Sequence, residues 1–98
     1  MLLSISMSDF IKKNINSNII DMRSVESFNN NHIPGARNIQ MEKLIATPYK
    51  YLDRYVNYYI YCQKGIKSIK LVQILQRMGY RATSIDGGYE SWILEKKD

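Results

Sequence analysis

The chain holds a single cysteine, Cys62, and a single histidine, His32. One cysteine leaves no internal disulfide, no Cys-x-x-Cys redox pair, no resolving thiol for an intramolecular relay and no thiolate cluster for zinc. One histidine removes a histidine-rich metal site, so no metal is expected. Long apolar runs are missing as well, and nothing approaches the length that spans a bilayer. The opening Met1-Leu2-Leu3-Ser4-Ile5-Ser6 lacks the basic lead and sustained apolar stretch of a signal peptide. No internal repeat, low-complexity tract or linker interrupts the chain. With no spanning run a membrane partner is not expected, and a lone thiol suits a reducing cytosol, so a cytoplasmic location is the expectation. Any covalent chemistry through sulfur must begin and end at Cys62, with the product handed to an outside acceptor.

What is present is ordinary for a globular chain. The 98 residues are 45% hydrophobic and 23% charged, which suits one domain over residues 1–98 with a single core rather than a disordered or membrane-embedded chain. The net charge of +5 and the tyrosines at 49, 51, 55, 58, 59 and 61, interleaved with Lys50 and Arg54, raise a nucleic-acid reading. The basic residues are scattered instead of forming one block, and abundant Asn, Ile, Lys and Tyr together match A/T-rich coding. A nucleic-acid partner is therefore not expected, and most of the tyrosines are assigned to packing.

The segment from Tyr58 to Gly79 carries the chemical signal. Tyr58-Tyr59-Ile60-Tyr61 is an aromatic and β-branched run that fits a buried strand. Cys62 follows, then the polar Gln63-Lys64-Gly65-Ile66-Lys67, and Ser68 is suited to begin a helix whose apolar positions are Leu71, Val72, Leu75 and Met78. Gly79 fits the left-handed residue at that helix's end. A cysteine at the carboxyl end of a strand, in a tight loop entering a helix, occupies the place where α/β proteins put their chemistry. Inward amides, the helix dipole, Lys64 and Lys67 would each favour thiolate over thiol. A free cysteine more commonly ends a core strand as a small buried hydrophobe; here the loop and helix signals favour the reactive reading.

Cys62-Gln63-Lys64-Gly65-Ile66-Lys67-Ser68 resembles the active-site loop of rhodanese-like sulfurtransferases, with cysteine first, glycine fourth and a small residue at the helix start. Ile20-Asp21-Met22-Arg23 through Glu26, then His32-Ile33-Pro34-Gly35-Ala36 and Asn38-Ile39, resembles the family's first signature. Asp86-Gly87-Gly88-Tyr89 with Trp92 resembles its C-terminal one. The three segments stand in the family's order and cover most of the chain.

Strands alternating with helices imply an α/β domain with a mostly parallel sheet. The resemblance implies a rhodanese-like fold of five strands with helices on both faces and the active loop at the carboxyl ends of the central strands. Strands are expected at Leu2–Ile5, 18–21, 37–40, 58–61 and 82–85. Ser6 with Asp9 resembles a capped helix start, and Val25 and Phe28 are expected to face inward from a short helix over 24–30. A helical turn or two over 49–55 is expected to pack Tyr51, Leu52 and Tyr55. The last helix should place Tyr89, Trp92 and Ile93 on one side, with Trp92 as core or pocket wall.

The resemblance also implies roles. Cys62 is the catalytic nucleophile, and Gln63, Lys64, Gly65, Ile66, Lys67 and Ser68 form the substrate-binding loop. Asp21 helps fix the loop's geometry, and Arg23 either leans toward the anion site or serves as an ion-pair partner. His32 is read chiefly as a histidine bonded to nearby backbone that fixes a turn, against a general-base role. Asn31, where the family commonly has glycine, is expected to tolerate left-handed backbone. The implied activity moves sulfane sulfur from thiosulfate or a related small anionic donor, through a Cys62 persulfide, to a thiol, cyanide or protein acceptor, and needs no cofactor. Gln63 and Lys67 stand where the family often has arginine, which bears on donor preference and rate. One alternative is a noncatalytic module that keeps the fold for partner binding. Another is phosphatase or arsenate-reductase chemistry, but the arginine position of a Cys-x5-Arg loop holds Ser68.

Overall fold

Alternating buried residues set the layers of this molecule. The computed structural model describes residues 1–96. Its strands are β1 (Ser4–Ile5), β2 (Ile19–Asp21), β3 (Arg37–Asn38), β4 (Asn57–Tyr61) and β5 (Arg81–Ile85). Its helices are α1 (Met7–Lys12), α2 (Val25–Asn30), α3 (Met41–Ala46), α4 (Ile66–Arg77) and α5 (Gly88–Glu95), with a 3-10 turn at Pro48–Lys50. The strand order is β1-β5-β4-β2-β3, and every pairing is parallel. Helical crossovers therefore cover both faces, as parallel sheets require.

Successive side chains on a strand point to opposite faces, so the central strands feed two cores. Ile20, Ile60 and Ala82 pack with Leu71, Val72 and Leu75 of α4 and Leu44 of α3. Ile19, Tyr61 and Ile85 pack on the other face with Met7 and Phe10 of α1 and Tyr89 of α5. Cys62 continues the Tyr58–Ile60 face and joins the core on the α4 side.

Several expectations are borne out in detail. The Asp9 amide donates to Ser6 Oγ at 3.0 Å, capping α1, and Gly79 takes the left-handed conformation after α4. Others are corrected. Val25 is 55% exposed on a helix that buries none of its residues, and Phe28 stacks on His32 instead. Tyr55 is 83% exposed: the 3-10 turn stops at Lys50, and a turn around Asp53, whose side chain accepts from the Tyr55 amide, carries Tyr55 away from Leu52. Ile93 faces outward, apart from Tyr89 and Trp92. Asn31 is extended, with φ −171°, so the position makes no demand for left-handed backbone.

Candidate functional site

Cys62 follows the last residue of β4, and the chain must leave the strand and enter α4 within a few residues. Gly65 makes this turn as the N-cap of α4, with φ +90°, a conformation that costs glycine little. Helix α4 thus begins at Ile66 instead of Ser68. That correction matters, because Ser68 lies inside the helix with its side chain buried against the sheet.

The loop wraps its own cysteine. The amides of Gly65 and Ser68 donate to Cys62 Sγ at 3.1 and 3.3 Å. Their direction follows from what holds the other side of the loop. The Tyr89 amide donates to the Cys62 carbonyl at 2.9 Å, and the Glu90 amide to the Gln63 carbonyl at 3.1 Å. The first turn of α5, whose amides have no intrahelical partner, thus draws the loop's carbonyls to itself and leaves the following N–H groups free to face the sulfur. Such close approach needs glycine: a Cβ on Gly65 would sit 2.7 Å from Gly87 N, and one on Gly88 would collide with the Cys62 carbonyl oxygen.

Burial pushes the Cys62 thiol up, but the Ser68 hydroxyl and the amides of Ser68, Gly65 and Lys64 more than offset it, and the net is a thiol below its ordinary value. These hydrogen bonds are the leading influences that lower it. Lys64 and Lys67 line a cleft of about 550 Å³ over the sulfur, together with Arg23, Gln63, Ile66 and Met22. Ile66 is 61% exposed at its mouth.

Beneath one wall lies a buried ion pair. Asp21 is fully buried, and Arg23 donates to it from its backbone amide, Nε and Nη2 at 2.8 to 3.1 Å. The guanidinium also stacks 4.0 Å from the Tyr89 ring centroid and donates to Gln63 Oε1 at 3.3 Å. Burial lowers the Arg23 pKa, but the hydrogen bond and charge of Asp21 outweigh it and leave it raised. Arg23 is therefore both an ion-pair partner and part of the cleft wall.

The remaining expected residue stands apart. His32 Nδ1 is 2.8 Å from the Phe28 carbonyl, and its ring stacks on Phe28 at 3.8 Å, outside the residues lining the cleft. This is the backbone-bonded histidine of a turn. Trp92 packs with the α1 core and borders a separate shallow groove with Phe10, Ile11 and Pro34, so it is no wall of the cysteine cleft. Among the described residues, no three His, Cys, Asp or Glu side chains gather as a metal site. Sequence reasoning missed Ser84, which touches Ser68 Oγ at 2.7 Å. Its signal was a polar residue in phase with Ala82 on a β-rich run.

Residues 7–95 match the family model described as Rhodanese-like domain. The chain belongs to the rhodanese-like domain family. This rhodanese-like chain is 37% identical over 75 residues to the thiosulfate sulfurtransferase GlpE of Shewanella oneidensis, covering 76% of this chain and 73% of the relative. A rhodanese-related protein from Thermoplasma volcanium superposes with a TM-score of 0.85 at 26% identity, over 97% of this chain and 94% of that one. A rhodanese-like domain protein from Staphylococcus aureus does so with a TM-score of 0.82 at 29% identity, over 91% and 89%. The five-stranded parallel sheet with its helices is thus the family's fold.

Proposed function

We propose that this rhodanese-like chain is a sulfurtransferase that takes sulfane sulfur from thiosulfate or a related small anionic donor and passes it on from a Cys62 persulfide. The observation that carries the reading is the pair of loop amides converging on Cys62 Sγ at the floor of a cleft edged by Arg23, Lys64 and Lys67. The donor's anionic end is drawn to the cationic rim. The Cys62 thiolate attacks the outer sulfur, the S–S bond of the donor breaks, and its electron pair leaves with sulfite. The terminal sulfur now bears the charge, and the same inward amides that held the thiolate are placed to hold it. A thiolate, cyanide or a protein thiol then attacks that terminal sulfur and releases Cys62 as thiolate. Charges and electrons balance in both steps without a cofactor.

Two features favour sulfur over phosphate as cargo. The position that an arginine fork occupies in a Cys-x5-Arg loop is Ser68, buried under the cysteine, and no bidentate guanidinium reaches over the loop from there. The 37% identical relative is itself named a thiosulfate sulfurtransferase. A cytoplasmic setting, which keeps a lone thiol reduced, accords with the same reading.

Incubation of the reduced protein with thiosulfate, followed by intact-mass measurement, should add one sulfur atom to the wild type and none to Cys62→Ser. An unchanged wild-type mass, with the thiol shown free by alkylation, rejects this donor chemistry.

A further inference from the structure

Behind Cys62 lies a pair of buried hydroxyls that the transfer steps above do not use. Ser68, the third residue of α4, and Ser84 of β5 are both fully buried. Ser68 Oγ lies 3.3 Å from Cys62 Sγ and 2.7 Å from Ser84 Oγ. Ser84 pairs with Ile60, on the neighbouring strand two residues before Cys62, so its side chain points to the same face of the sheet as the cysteine. Burying a hydroxyl there is unfavourable unless it finds a partner, and Ser68 is the partner it finds.

We propose that Ser84 is a positioning residue that turns the Ser68 hydroxyl proton onto the Cys62 sulfur and thereby favours the thiolate. The inference rests on Cys62 being the nucleophile of the reading above. It follows from where three protons can go. If the thiol keeps its proton and donates it to Ser68 Oγ, Ser68 donates to Ser84, and the Ser84 proton then has no acceptor among the described residues. In the opposite sense Ser84 donates to Ser68 and Ser68 donates to an ionised sulfur, so that every buried O–H is used. A buried donor left unpaired is penalised, while aligned hydrogen bonds strengthen one another. A thiol with its S–H turned into the cleft can also accept the Ser68 proton, but a thiolate accepts it more strongly, so the polarity of the pair favours the thiolate. The Ser68 hydroxyl is also among the groups that hold the Cys62 thiol below its ordinary value.

The charged groups that line the cleft or bond to its wall are Asp21 at the end of β2, Arg23 just after it, Lys64 in the loop, Lys67 in the first turn of α4 and Glu90 on α5. Replacing Ser84 alters none of them.

The test is the pH dependence of Cys62 alkylation by iodoacetamide in wild type, Ser84→Ala, Ser68→Ala and the double variant. Ser68→Ala should raise the midpoint by about one to two pH units, the size expected for losing a hydrogen bond to a charged group. Ser84→Ala should raise it by about half a unit, as the loss of a second bond that strengthens the first. In the Ser68→Ala background, Ser84→Ala should add nothing, and Ser84→Thr, which keeps the hydroxyl, should retain the wild-type midpoint. A Ser84→Ala profile that superimposes on wild type, or a shift of equal size without Ser68, overturns the proposal. Alkylation needs no sulfur donor, so a protein that fails to gain sulfur yet shows these shifts refutes the transfer reading alone.

Discussion

Gly88 is packed so closely against the carbonyl oxygen of Cys62 that a methyl group has no room between them. The glycine is the first residue of α5, and the carbonyl belongs to the loop after β4. Their contact is what allows the first turn of α5 to grip the cysteine loop from outside while its amides face in.

Gly88→Ala tests this grip. The added carbon would also stand 2.8 Å from the Gln63 carbonyl, and Gly88 has φ +59°. The expected cost is about 1–3 kcal/mol of stability, as for overpacking elsewhere. Loss of sulfur transfer by roughly a hundredfold should accompany it, since a small misplacement of a reacting group is enough. Urea denaturation and thiocyanate formation from thiosulfate and cyanide measure the two effects.

The buried ion pair should prove structurally demanding. Arg23→Ala leaves the fully buried Asp21 carboxylate with only its backbone donor from this residue. We expect a loss of about 3–5 kcal/mol, read as a fall in the urea midpoint. Arg23→Lys should recover only part of it, because an ammonium cannot reproduce the donation from Nε and Nη2 together.

Cys62 should ionise below the ordinary thiol range, so its alkylation should reach half-maximal rate at a lower pH than a free thiol, whose value is about 8.5. The sign for stability follows. The folded state holds this proton less tightly than the unfolded chain, so the stabilisation is fully present above the unfolded value and is lost as pH falls through the folded one. The urea midpoint of wild type relative to Cys62→Ser should therefore rise with pH across that interval. A flat difference contradicts it.

Lys64 and Lys67 line the cleft, while the leading groups that lower the thiol's pKa are the Ser68 hydroxyl and the loop amides. Lys64→Ala and Lys67→Ala should each raise KM for thiosulfate roughly two- to fivefold, an effect typical of exposed charges, and the change should shrink as salt is added. The pH profile of Cys62 alkylation should stay close to wild type in both variants. A moved profile would assign the lysines to the thiolate itself.

The contrast between Tyr51 and Tyr55 shows how far local pattern reaches. Spacing with Leu52 predicts one packing face for both; Tyr51 does pack on the core, whereas Tyr55 is turned out by the Asp53 side chain's bond to its amide. Val25 failed for a related reason. Its helix is six residues long and buries none of them, and periodicity alone does not say whether a face has anything to cover.

Chain-local chemistry settled much of this protein. β-Branched and aromatic runs marked the central strands, the spacing of Leu71, Val72 and Leu75 marked α4, and a lone cysteine between strand and helix marked the candidate site. Those features depend on neighbours a few residues apart, where backbone geometry dictates who meets whom. The folded arrangement alone decided which amides face the sulfur, because their direction depends on α5 holding the loop's carbonyls. It alone also placed Ser84 behind Ser68. Parallel pairing of β4 with β5 joins segments separated by a whole helix, and only that register sets the hydroxyl of one strand beside the thiol that follows the other.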